Sequence, residues 1–255
     1  MKHNPKFFIL TLFKLSYAFA QVNTELMRDE NHNKKFSNNL SLDFVYQASQ
    51  EKYFDIGIGG TSNYFIKDDF HAFLIIDYQS GYLSGNVGNE VIINRGFGHF
   101  RITKKVMPNT DYELFCQAGF NDFILINDRK LFGSGFRKNL IKKDKINSFF
   151  GFGLMQEREV YDLLENSKKL LLRYTSYSTL SIQISDNIYL NNIVYFQPAF
   201  KKANDFRLLV DNEIEFKINK VLSTQLEINY RYDNEPHGDS KKTYFQIHNG
   251  FEFNF

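Results

Sequence analysis

The chain has 255 residues, a formal net charge of +2, 28 Phe and 15 Tyr but no Trp, and a mean hydropathy of -0.39. A near-neutral chain is a poor nucleic-acid binder, and a lone cysteine, Cys116, excludes an internal disulfide framework and any zinc site built on paired cysteines. Length alone admits one large β domain or two small ones, but so many aromatics in a polar sequence do not suit a packed soluble core.

Residues 1–20 read as a secretory signal peptide. Lys2 and Lys6 precede the apolar stretch FFILTLF, and Ala18-Phe19-Ala20 supplies small residues for cleavage after Ala20. The apolar run is too short to span a bilayer and is interrupted by Lys14, and no cysteine follows the cleavage point to carry a lipid anchor. Loss of Lys2, Lys6 and Lys14 leaves 28 basic residues against 29 acidic ones. Residues 21–38 form a polar stretch expected to be a leader or short plug.

From residue 39 to 255 the sequence breaks into alternating segments separated by Asn, Asp, Gly and Lys turns, and no stretch resembles a transmembrane helix. About twelve strands are expected, near 39–49, 53–65, 70–80, 90–103, 110–123, 128–141, 146–161, 168–182, 187–197, 206–218, 221–233 and 242–255. Three segments are uneven. FHAFLIIDYQS is apolar on both faces over part of its length, the 187–197 segment carries Asn191 beside Asn192, and VYDLLENSKKLLLRY also has the i, i+3, i+4 spacing of a short helix.

The last third alternates most clearly. Phe206, Leu208, Val210, Ile214, Phe216 and Ile218 share one face, against Arg207, Asp211, Glu213, Glu215 and Lys217 on the other. At the end, Phe251, Phe253 and Phe255 oppose Glu252 and Asn254. Segments of about 10–15 residues exceed the usual strand of globular sheets and suit tilted membrane-crossing strands. A secreted sandwich or lipocalin-like barrel is the alternative. The reading preferred is all-β: a transmembrane antiparallel up-and-down β-barrel of about 12 strands, closed because every backbone group in lipid must be paired internally.

The terminal octet HNGFEFNF resembles the C-terminal signal of bacterial outer-membrane barrels, with His248, Gly250, Phe253 and Phe255 in register. That resemblance implies two partners, outer-membrane lipid and the barrel-assembly machinery. A second resemblance covers about sixty residues in the middle: His99 and Arg101; Glu113, Phe115 and Gln117; Arg129, Leu131, Gly133, Gly135 and Arg137; and Glu157 with Glu159. This order and spacing resembles the core of the salt-induced outer-membrane protein family, the domain of unknown function numbered 481. It implies an outer-membrane barrel and brings no activity with it.

Within each strand those polar residues share a face. His99, Arg101, Glu113, Gln117, Arg129, Arg137, Glu157 and Glu159 are therefore expected to face the lumen as a charge network, with Arg101, Arg129 and Arg137 set against Glu113, Glu157 and Glu159 and with Gly133 and Gly135 leaving room for the arginines or for an opening. Catalysis is not expected. None of the six histidines has Ser two residues on, and His237 with Asp239 and Ser240 falls in a Pro- and Gly-containing turn. No metal-ligand spacing supports an acid–base role for Glu157 and Glu159, and no cofactor is implied. Cys116 shares a face with Tyr112, Leu114 and Ala118 and is expected to be a buried apolar thiol. The functional expectation is a narrow channel or binding pore for small polar solutes, with a plugged structural barrel under salt or osmotic stress as the alternative.

Overall fold

A computed structural model of the chain describes residues 24, 25, 28, 35–48, 52–66, 69–85, 88–122, 125–162, 167–237 and 241–254. Twelve antiparallel strands follow in chain order: β1 Phe36–Ala48, β2 Lys52–Ile66, β3 Phe70–Gly85, β4 Gly88–Met107, β5 Thr110–Asn121, β6 Ile126–Lys143, β7 Ile146–Tyr161, β8 Lys168–Ser185, β9 Ile188–Pro198, β10 Phe206–Lys217, β11 Leu222–Asp233 and β12 Thr243–Asn254. Each pairs with its chain neighbour, and β12 returns to β1, so the sheet is a closed barrel without crossovers. Several strands outrun the expected lengths, β4 reaching 20 residues, because pairing continues beyond the apolar band. β1 begins at Phe36, three residues into the stretch assigned to the leader.

Alternation decides which face each side chain takes, and here the faces are inverted relative to a soluble protein. Phe44 (65% exposed), Phe132 (62%), Leu170 (63%), Phe251 (52%) and Phe253 (38%) point outward, while Arg101, Glu113, Arg129, Glu157 and Arg173 are buried inside. An apolar belt running round the whole wall far exceeds the patches that soluble monomers expose, and lipid is the medium that covers it. Near the loop-rich end the outer wall turns polar, where Asp128 pairs with Lys130 at 3.3 Å and with Arg158 at 3.0 Å.

The uneven segments resolve in the same terms. In β3 the apolar inward residues Phe73 and Ile75 are buried in the lumen, where Phe73 lies under the Arg28 and Arg101 guanidinium groups at 5.1 and 5.7 Å from its ring centroid. In β9 the two asparagines part company: Asn191 donates inward to Glu213 at 2.8 Å, and Asn192 bonds Asn212 on the outer face. In VYDLLENSKKLLLRY, Val160 and Tyr161 end β7 and Lys168 starts β8; residues 163–166 lie outside the described ones. Cys116 is not buried but exposed on the outer wall, since its strand face turns to lipid. Of the His237 turn, Asp239 and Ser240 lie outside the described residues.

Gly133 and Gly135 face inward as expected, but the room they leave goes neither to an arginine nor to an opening. A Cβ at Gly133 would stand 2.4 Å from Phe115 Cζ and 2.7 Å from the Leu154 carbonyl oxygen, and one at Gly135 would stand 2.6 Å from the Phe152 carbonyl oxygen. Gly135 is the register partner of Gly153, so β6 and β7 approach closely there and Phe115 fills the space that remains. The β1–β12 seam is short, with register from Asn39↔Asn254 to Leu42↔Phe251, and Asn39 donates across it to Glu252 at 3.0 Å. The strands leave long connections after β7, β9 and β11, all from one end of the barrel, and tight ones (108–109, 144–145, 186–187) at the end where β1 starts.

Candidate functional site

The inward charges form two groups stacked along the lumen. The first lies toward the long-turn end, on β6, β7, β8 and β10. Glu157 Oε1 accepts from Arg129 Nε at 2.8 Å and from Arg207 Nη1 at 2.7 Å, and Glu157 Oε2 accepts from Arg173 Nε at 2.9 Å. Glu159 takes Arg207 Nη2 at 2.9 Å, lies 3.2 Å from Arg129 Nε and is bonded by the Tyr161 hydroxyl. Asp205, in the turn before β10, pairs with Arg173 at 2.7 Å and Lys169 at 2.8 Å. Burial alone would raise the Asp205 carboxyl; the hydrogen bonds from Lys169 and Arg173 outweigh it and hold the group below its ordinary range. Each oxygen of Glu157 thus answers a guanidinium, the condition under which buried charge is tolerated.

The second group lies nearer the end where β1 starts and includes residues from outside the barrel wall. Arg101 bonds Glu25 and lies 3.4 Å from Glu113 Oε2, and its Nη2 donates to Thr24 Oγ1 at 2.9 Å. Arg28 Nη2 donates to Glu113 Oε1 and to Thr103 Oγ1, both at 2.7 Å. Tyr177 donates to Glu113 Oε2 at 2.7 Å. Arg137 Nε stands 3.6 Å from Glu25, and its guanidinium lies 3.3 Å from the Phe149 ring centroid. Of the stretch assigned to the leader, Thr24, Glu25 and Arg28 are therefore inside the lumen and buried, while Lys35 is exposed just before β1.

All eight lumen residues named from the sequence are buried: His99, Arg101, Glu113, Gln117, Arg129, Arg137, Glu157 and Glu159. The structure divides them, bringing Arg129 to Glu157 and Glu159, and Arg101 to Glu113, with Arg137 reaching Glu25. His99 Nε2 accepts from Arg101 Nε at 3.4 Å. Sequence reasoning missed Arg173, Glu25 and Arg28. Arg207 had already fallen on the polar face of its strand; Arg173 carried the same signal, alternating with Thr175 and Tyr177, while nothing local marks Glu25 or Arg28. Of the proposed assembly signal, Gly250 and Phe253 lie in β12, Phe255 lies outside the described residues, and of His248 only its backbone place in β12 is described.

Between the groups lies a cavity of about 40 Å³, lined by Thr24, Arg101, Arg129, Tyr177, Tyr195 and Gln197 among others. Among the described residues no cluster of His, Cys, Asp and Glu has a geometry that would hold a metal ion.

A family model for proteins of unknown function, DUF481, matches residues 20–255. The chain belongs to the DUF481 family. Its closed barrel with inverted faces has the fold of outer-membrane β-barrels. Solved structures share the architecture at low identity. The translocator domain of autotransporter NalP from Neisseria meningitidis is 10% identical, with a TM-score of 0.50, over 86% of this chain and 86% of that one. The NanC porin is 6% identical, with a TM-score of 0.47, over 86% of this chain and 97% of that one. A bacterial polysaccharide outer membrane secretin is 8% identical, with a TM-score of 0.46, over 88% of this chain and 98% of that one. At these identities the likeness is one of fold. Among curated proteins none matches.

Proposed function

We propose that this barrel is a narrow channel or binding pore for small polar solutes, with a lumen largely filled by ion pairs and a residual path along partly exposed polar residues. The observation that carries this reading is an asymmetry of exposure. Inward residues on β4–β8 and β10 are buried in ion pairs, among them Glu113, Arg129, Glu157, Arg173 and Arg207. On β1–β3 and β11–β12 the inward Ser41, Asp43, Thr61, Asp77, Gln79, Glu227 and Gln246 keep partial exposure, while other inward residues of the same strands, among them Asp55, Asn63, Phe73, Ile75, Ser223 and Arg231, are buried. Twelve strands lie between the eight whose side chains fill a barrel and the sixteen or more that leave a wide aqueous channel, so a largely filled lumen suits slow passage of small solutes. Purified protein in a planar bilayer should show small, discrete unitary currents; silence at every voltage would refute transport.

The second reading, a plugged barrel that braces the envelope under salt or osmotic stress, draws on the burial of Glu25 and Arg28 in the lumen. It predicts altered salt tolerance in a deletion strain. On either reading residues 1–20 serve as a signal peptide cleaved after Ala20, the residues between it and β1 act as a leader or short plug, and the terminal octet engages the barrel-assembly machinery. Phe251 and Phe253 on the outer wall support the last point. Removal of Phe255 should then lower the amount of folded, membrane-inserted protein while leaving export intact; wild-type levels of heat-modifiable barrel after the deletion would count against it.

A further inference from the structure

We propose that the cavity between the two ion-paired groups is a binding site for a small anion, chloride or a carboxylate as small as formate. Its walls include the Arg101 and Arg129 side chains and no carboxylate, which disfavours a cation; both guanidinium groups are also ion-paired, Arg101 with Glu25 and Glu113 and Arg129 with Glu157 and Glu159, so the preference for an anion rests on the neutral donors. Three of the lining residues hold buried polar atoms that no protein group meets in hydrogen-bond geometry: His99 Nδ1, the Tyr195 hydroxyl and Gln197 Oε1. Gln117 and Thr24 engage His99 and Tyr195 respectively only through looser side-chain hydrogen bonds that fall outside that geometry.

The proton positions give the site its sign. Because His99 Nε2 accepts from Arg101 Nε, the neutral ring carries its proton on Nδ1, leaving a buried N–H donor to be answered. Tyr195 offers an O–H donor. Gln197 is bonded through Nε2 to Thr175 Oγ1 at 3.4 Å; exchanging its amide oxygen and nitrogen, which are assigned from the hydrogen-bond network, lets the Thr175 hydroxyl donate to the oxygen and turns a third donor to the cavity. Three neutral donors call for an acceptor. A space of about 40 Å³ accommodates about three water-sized groups, enough for chloride or formate and too small for a sugar acid. The site does not depend on whether the lumen conducts, so it stands or falls apart from the channel reading.

Linkage gives the test, since a ligand bound only by the folded state raises stability. Full-length folded protein in detergent would be heated in sodium chloride, sodium formate and sodium gluconate at equal ionic strength, with wild type beside Tyr195→Phe and His99→Gln. The quantity read is the difference between salts within one variant, so changes in intrinsic stability cancel, and two variants guard against one failing to fold. Chloride and formate should raise the wild-type half-unfolding temperature over gluconate by about 3 °C or more, and each variant should lose most of that rise. Equal temperatures in the three salts would overturn the site, as would a rise that both variants keep in full. An equal rise with formamide added to gluconate would assign the cavity to neutral solutes and overturn the anion.

Discussion

Glu157→Gln is expected to be the most damaging single substitution in the lumen. The carboxylate accepts from Arg129, Arg173 and Arg207, and the Glu157 and Arg173 side chains are 1% and 0% exposed. An amide of the same shape keeps one acceptor, turns an N–H₂ toward guanidinium donors and removes the negative charge. Three buried cations then share Glu159, Asp205 and Asp233, the last of which pairs with Arg207 Nε at 2.8 Å. Breaking a buried pair costs about 3–5 kcal/mol because the partner stays desolvated and uncompensated, and here several partners are stranded at once. Urea unfolding of the folded barrel in micelles, read by its gel mobility before and after heating, measures the loss. Glu215→Gln is the control: its side chain faces the lumen but keeps partial exposure, so its effect should stay within about 1 kcal/mol. A Glu157→Gln midpoint equal to that of wild type would mean that the ion pairs do not hold the wall.

The second large effect is expected in conductance rather than stability. Glu25 and Arg28 fasten the leader through Arg101 and Arg137 on one side and through Glu113 and Thr103 on the other. The double change Glu25→Ala with Arg28→Ala removes one charge of each sign, so the net charge of the lumen is kept while both anchors go. If this segment restricts the passage, unitary current should rise several-fold and its noise should increase, because a released segment samples the lumen without lodging there. Stability should fall as well, since Arg101 and Glu113 each lose a partner. Comparing current per inserted channel, not total current, separates the two effects. Currents unchanged from wild type in correctly folded double-variant barrels would show that the segment does not restrict flow.

The strands were legible because their signal is local. A side chain's face is fixed by its parity along one strand, and lipid demands an apolar residue at every second position whatever the neighbouring strands contain. Arg207 and Glu213 fall inward, and Phe206 and Leu208 outward, without reference to any other segment. The same rule misjudged Cys116: parity placed it correctly on the apolar face, but in a barrel that face is the exposed one.

The sequence by itself thus determined the number and direction of strands, the inverted faces and which polar side chains turn inward. Tertiary structure alone decided who meets whom. Glu157 gathers Arg129 from 28 residues away and Arg207 from 50, and Arg101 reaches back 76 residues to Glu25. Curvature and stagger of the closed wall set these distances, and neither leaves a mark on the period of a single strand. The loss of room behind Gly133 and Gly135 has the same origin, since Phe115 and the backbone of β7 arrive from other parts of the chain. Closure is a property of all twelve strands together, so the partners across the lumen exist only once the last strand has met the first.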